Sequence, residues 1–288
     1  MNKQDQNESK TKFPWLFFGL SYGMSWLIWG ALAVAGVSPS PLLLLSGMIA
    51  PSLVGVVLTQ LDPDREHRRD FWKRLIDFKR IGIGWYGVIV FIFPVILVVA
   101  LLFDRLLGGS SLSLVAIQKV LSDPLQLLVI FIMMFFGGAL AEELGWRGYA
   151  LDRLQSRWTA LTSSILLGLI WGFWHLPLFF VKDTTQAKMG FGLEFWLFIF
   201  DAVLLSILFS WVYNNTSRST LSAFLLHWMY NFCMNVVMLM GPLSLQVAVI
   251  KTIVSLVVCA AIVVGWGAKT MIRQPIGTVN NPVAENLP

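Results

Sequence analysis

The chain has 288 residues, 57% of them hydrophobic and 13% charged, with a mean hydropathy of +0.72. Soluble domains carry about 25% charged residues, so an ordinary soluble protein is excluded and a chain embedded in the lipid bilayer is expected. The net charge of +5 is not a nucleic-acid signal: most basic residues lie in short connections between apolar runs, where membrane orientation requires them. No nucleic-acid partner is expected.

A membrane span needs about 20 apolar residues at 1.5 Å rise each. Eight runs meet that length, at 13–36, 41–61, 83–107, 125–150, 161–180, 191–213, 220–240 and 245–267. Residues 1–12 are polar and carry Lys3, Lys10 and Lys12. The run after them is too long for a signal-peptide core and lacks a small-residue cleavage signature, so it reads as a retained first span. Ser38, Pro39, Ser40 and Pro41 supply the break before the second run. Segment 62–80 is rich in both charges, and its Phe71, Trp72, Leu75, Ile76 and Phe78 form either an apolar stripe at the membrane surface or part of a plain solvated loop. Beyond Gln274 the Pro, Asn and Gly content predicts a disordered tail.

The distribution of Lys and Arg orients the chain. With the N-terminus inside, 16 of the 21 fall in cytoplasmic segments, four fall on the other side, and Lys251 lies within the last run. The bias predicts a multi-pass protein of the cell membrane with both termini cytoplasmic. An odd number of spans would scramble it. The expected fold is an all-α polytopic membrane protein of about eight transmembrane helices with a four-helix core in spans four to seven. Cys233 and Cys259 fall inside apolar runs, form no CxxC pair and read as core packing.

Ionisable side chains are costly within a bilayer and are functional candidates there. They are few: Glu142, Glu143, His175, Glu194, Asp201, His227 and Lys251. On a helix, Glu143 and Arg147 are an i, i+4 pair, so the arginine can hold that carboxylate ionised. Glu142 points about 100° away and is free to take a proton from water. The midpoint between residues 142 and 175 falls at Trp158 and Thr159, in the polar break 155–159. An antiparallel hairpin turning there sets Glu142 and His175 level, about 20 to 25 Å from the turn. Gly168 and Gly172 form a small-xxx-small pair that lets a neighbouring helix approach, and Pro177 is expected to bend the helix near Phe173. In the seventh run, His227 and Asn231 share a face at i, i+4, at a similar depth.

A carboxylate beside two imidazoles can deprotonate water, directly or on a bound metal, while His227 and Asn231 can donate to a developing oxyanion. There is no nucleophile elbow and no HExxH helix, which favours activated water over a covalent intermediate. Asp201, Glu194 and Lys251 motivate a competing transporter or channel reading. Lys251 by itself reads as snorkelling to an interface.

Together, Glu142, Glu143 and Arg147, then Trp171 and His175, then His227 and Asn231 resemble the EExxxR, FxxxH and HxxxN motifs of the CPBP (CAAX protease and bacteriocin-processing, Abi) family of intramembrane proteases. Trp171 replaces the usual phenylalanine. The resemblance covers about residues 125–240 and implies an endopeptidase whose site opens toward the cytoplasm. In it Glu142 and His175 activate water, His227 and Asn231 stabilise the oxyanion, and Glu143 with Arg147 supports them. The family's naming as metalloproteases implies a divalent metal such as zinc, for which Glu142, His175 and His227 are the candidate ligands. The implied partner is a protein or peptide substrate, lipidated in relatives that trim prenylated CAAX proteins. A noncatalytic bacteriocin-immunity or regulatory role on the same scaffold is the alternative. The organisation expected is a polar segment at 1–12, three helices in 13–124 with the basic loop at 62–80, the catalytic core at 125–240, a last helix in 241–268 and a cytoplasmic tail at 269–288.

Overall fold

A computed structural model describes residues 13–111, 113–241 and 243–273. The polar N-terminus 1–12 and the tail 274–288 lie outside the described residues. Among the described residues there is helix and no strand. In chain order the helices are α1 (Trp15–Ala35), α2 (Pro41–Gln60), α3 (Arg65–Ile76), α4 (Ile83–Leu106), α5 (Leu114–Leu121), α6 (Pro124–Gln155), α7 (Ala160–Trp174), α8 (Thr185–Met189), α9 (Leu193–Asn215), α10 (Thr220–Met240) and α11 (Leu245–Trp266).

All eight hydrophobic runs are helical. Seven of the resulting helices are long and apolar enough to cross a membrane. The fifth run is shorter than the sequence suggests: α7 stops after 15 residues at Trp174, with His175 as its cap, so it is only about 22 Å long. Pro177 is the cause. It has no N–H to continue the helical ladder and disfavours the α conformation at Leu176, so Leu176–Phe179 forms a 3-10 turn instead. The proline thus leaves His175 at the end of a rigid helix.

Helix α2 is interrupted at Ile49 because Pro51 cannot donate to the carbonyl of Gly47 four residues earlier. Ser25 Oγ of α1 donates to that carbonyl at 2.7 Å, tying the interruption to the first helix. The antiparallel pair α7 and α9 packs closest. A Cβ at Gly168 would stand 2.6 Å from the Val203 Cα and 3.0 Å from the Ala202 carbonyl oxygen, so only glycine permits this approach. Nearly every residue from Ala202 to Tyr213 is buried, which makes α9 the central helix. The start of α6, Pro124–Met134, buries nothing and exposes Leu125, Leu128, Val129, Ile132 and Met133, as a lipid-facing surface should.

Two sequence expectations change here. Segment 62–80 holds a helix, α3, whose N-terminus is capped by Asp64 Oδ1 accepting from the N–H groups of Glu66 and His67. Its apolar residues do not share one face: Phe71 is buried toward α6, whereas Trp72, Ile76 and Phe78 are exposed. Lys251 does not snorkel. It is 6% exposed and pairs with Asp201 of α9, whose Oδ1 also accepts from Thr252 Oγ1 at 2.8 Å. A partner charge one helix away satisfies the ammonium where it stands. Asp201 accordingly faces α11. Glu194 sits in the first turn of α9, where a negative charge suits the helix N-terminus.

Candidate active site

Helix α6 carries the first motif between two π-helical segments, Phe135–Ala139 and Trp146–Ala150. Each adds a residue to a turn and so rotates the downstream part of the helix relative to the upstream part. Both acidic side chains of the intervening Leu140–Gly145 end up inside the bundle, Glu142 at 2% and Glu143 at 1% exposure. On the outer side of this segment Gly145 meets α2, where a Cβ on Gly55 would lie 2.9 Å from the Gly145 Cα. Backbone-to-backbone contact there holds the segment in place.

The two glutamates have different partners. Glu142 Oε2 accepts from two indoles, Trp171 Nε1 at 2.5 Å and Trp146 Nε1 at 3.3 Å. Its Oε1 takes part in no hydrogen bond among the described residues. Glu143 Oε1 accepts from Arg147 Nη1 at 2.8 Å, as the i, i+4 spacing predicts, and also stands 2.8 Å from His227 Nδ1 of α10. The latter contact is not legible in the sequence. It makes a chain Arg147–Glu143–His227 with all three members buried. The Arg147 guanidinium lies 5.1 Å from the Trp171 ring and 4.7 Å from the Phe209 ring. These cation–π contacts partly compensate its Nε and Nη2, which have no hydrogen-bond partner.

Both imidazoles are oriented through Nδ1. That atom of His175 lies 2.9 Å from the Trp171 carbonyl oxygen, and the same atom of His227 faces a carboxylate. Neither acceptor has a proton to give when Glu143 is a carboxylate, so Nδ1 carries a hydrogen in each ring, and Nε2 is left to accept in His175 and to take a second proton in His227, whose Nδ1–H faces a carboxylate. Trp171 stands between the two rings, 5.9 Å from His175 and 5.4 Å from His227 by ring centroids. In sequence Trp171 is only an aromatic wall in place of phenylalanine; in the structure it is also a hydrogen-bond donor to Glu142. The overlooked signal was spacing, since Trp146 is four residues after Glu142 and Trp171 four before His175.

Asn231 lies one turn beyond His227 on α10. Its amide nitrogen faces Gly138 in the first π segment, and its backbone carbonyl accepts from Asn235 Nδ2 at 2.9 Å. Five of the six expected residues are therefore joined by direct bonds or through Trp171, and Asn231 flanks them with its side-chain amide making no hydrogen bond among the described residues. For a metal the donors do not converge: no three His, Cys, Asp or Glu side chains among the described residues come together as a ligand group. His227 Nδ1 is engaged by Glu143, and the Trp171 indole stands between the imidazoles.

A buried carboxylate with one oxygen unbonded, linked through Trp171 to two imidazoles, is an arrangement suited to hydrolysis inside a helical membrane protein. The family profile of the type II CAAX prenyl endopeptidases, Rce1-like, matches residues 124–233, a stretch containing every residue of the site. The chain is also 28% identical over 260 residues to the CAAX prenyl protease 2 of Methanococcus maripaludis, an alignment covering 87% of this chain and 93% of that one. Both similarities agree with the resemblance of the three motifs to the CPBP family of intramembrane proteases.

Proposed function

We propose that this protein is an intramembrane endopeptidase that cleaves CAAX-type proteins, with Glu142 as the base that activates water. The observation that carries the reading is the Glu142 carboxylate, fixed through Oε2 by two indole N–H groups and unbonded at Oε1. Such an oxygen can accept a proton from a water that His175 Nε2 orients by accepting its other hydrogen. The hydroxide adds to the scissile carbonyl carbon. The oxyanion formed accepts hydrogen bonds from the Asn231 amide and from His227 Nε2–H of a ring carrying both protons, one of them donated to Glu143. When the C–N bond breaks, the proton held by Glu142 passes to the leaving amine, and the new carboxyl group departs with the hydroxide oxygen. Arg147 stays paired with Glu143 throughout.

No step is routed through a metal, because the candidate ligands Glu142, His175 and His227 do not converge. The name of the Methanococcus maripaludis relative motivates a prenylated substrate, and the excess of cytoplasmic Lys and Arg supports cytoplasmic termini. An apolar lipid anchor would partition into the bilayer beside the bundle and bring the peptide to the site from that phase.

The test is cleavage of a fluorogenic peptide ending in a farnesylated CAAX sequence by the purified protein in detergent or nanodiscs. Mass spectrometry of the products locates the cut. Cleavage by the parent and its loss in Glu142→Gln and His175→Ala are expected. Equal cleavage by all three would sink the assignment of the base.

A further inference from the structure

The buried ion cluster at the 155–160 end of the bundle lies outside the chemistry above, and two of its five members, Asp70 and Arg74, come from α3, outside the residues that the family profile matches. Arg74 of α3 is 5% exposed and reaches four groups. Its Nη1 donates to Asp152 Oδ2 at 2.7 Å and to the Tyr213 hydroxyl at 2.6 Å, its Nη2 donates to the Gly148 carbonyl at 3.0 Å, and its Nε stands 3.1 Å from Asp70 Oδ2. Tyr213 donates in turn to Asp152 Oδ1 at 3.0 Å, and the guanidinium of Arg218 pairs with the same carboxylate. The hydrogen bond to Asp152 holds Arg218, in the loop between α9 and α10, more firmly protonated than an ordinary arginine.

Gly148 is the middle residue of the second π segment and follows Arg147 directly. The segment is defined by an i→i+5 bond from the Leu151 N–H to the Trp146 carbonyl. A π turn is an α-helix holding one extra residue, and relaxation to α register shifts a side chain by about 100° around the axis. Arg74 donates to a carbonyl within this turn, and Phe71, one turn earlier on α3, covers Gly148 so closely that a Cβ there would stand 3.0 Å from its ring. Two contacts from one helix thus press on the turn that sets where Arg147 points. Arg147 sets Glu143, and Glu143 sets His227.

We infer that Arg74 is a positioning residue for the reaction: its bond to the Gly148 carbonyl holds the π turn in register, and through it the Arg147–Glu143–His227 chain. The inference rests on the endopeptidase reading for its kinetic consequence and stands apart from that reading for its structural one. Arg74→Gln removes the cation and weakens every contact. Arg74→Lys keeps charge pairing with Asp152 but cannot span from Asp152 to the Gly148 carbonyl, because an ammonium is a single point and the guanidinium a fork. Arg80→Gln serves as control, since Arg80 bonds Asp70 and the Ser217 carbonyl and leaves the π turn alone.

The experiment measures peptide cleavage and hydrogen exchange of the full-length protein in nanodiscs. In Arg74→Lys and Arg74→Gln, kcat is expected to fall by roughly 10- to 100-fold, the scale of a misplacement near 1 Å, with KM little changed. Amides in 146–151 are expected to exchange faster, while Arg80→Gln matches the parent in both measurements. A purely structural role predicts a lower unfolding temperature with kcat of the folded fraction unchanged and overturns the proposal. So does unchanged exchange at 146–151 in a folded Arg74→Gln. If the parent cleaves no CAAX peptide, the endopeptidase reading fails, and the exchange measurement alone decides the clamp.

Discussion

Glu142→Gln and Glu142→Ala, both of which remove the proposed base, should behave differently, and the difference is a test of the site's geometry. In the parent, Glu142 Oε2 is the acceptor for two buried indole N–H groups, and Oε1 is the atom left for water. Glutamine can keep the first role: its carbonyl oxygen takes the Oε2 position and accepts both indoles, which leaves the NH2 where Oε1 stood. An amide nitrogen is a donor without basicity, so proton abstraction ends while the packing stays. Loss of a general base costs about 10²- to 10⁴-fold, and the whole of it should appear in kcat. Alanine removes the acceptor and orphans both indoles, each costing about 1–3 kcal/mol as a buried unsatisfied donor, for a total of about 2–6 kcal/mol. The expected result is a Gln variant that unfolds thermally with the parent and does not cleave, beside an Ala variant that neither cleaves nor keeps the parent's stability. Thermal unfolding in one detergent and initial cleavage rates at saturating peptide provide both readings. A Gln variant with more than a tenth of parental kcat would refute the assignment, and an Ala variant as stable as the parent would refute the double indole contact.

Lys251→Met strands the Asp201 carboxylate in the bundle and should destabilise the protein by about 3–5 kcal/mol, whereas adding Asp201→Leu should recover most of the loss; a double variant as unstable as the single one, in urea titration of the detergent-solubilised protein, contradicts the pairing. Gly168→Val sets a Cβ at 2.6 Å from the Val203 Cα and should cost at least about 1–3 kcal/mol by forcing α7 from α9, whereas the same change at the half-buried Gly87, where a Cβ meets nothing within 4 Å, should be tolerated. Dialysis against a chelator should leave the cleavage rate of the purified protein unchanged, as expected of water activated by Glu142 alone, and restoration of a lost rate by added zinc is the opposing outcome.

Relations that a helix enforces on its own residues are legible in the sequence alone. The 3.6-residue repeat puts Glu143 under Arg147 and His227 under Asn231 whatever surrounds them, and the polar break at 155–159 marks where α6 ends and α7 begins. Apolar length marked eight segments, and Pro177 marked the place where one of them ends, although its full effect on α7 depended on local geometry that the composition does not carry. Relations across helices were not legible. That Glu143 serves His227 as well as Arg147, that Trp171 donates to Glu142, and that Lys251 meets Asp201 depend on how each helix is rotated about its axis, and one extra residue in a π turn changes that rotation by about 100°. The apolar residues of 62–80 show the same limit, since Phe71 and Trp72 are neighbours in sequence but only contact with Gly148 turns the first inward. Residue type and spacing therefore determined which side chains are available for the proposed hydrolysis. Tertiary packing alone decided which oxygen of which glutamate is bonded and which is left for water, because that choice is made by donors on other helices.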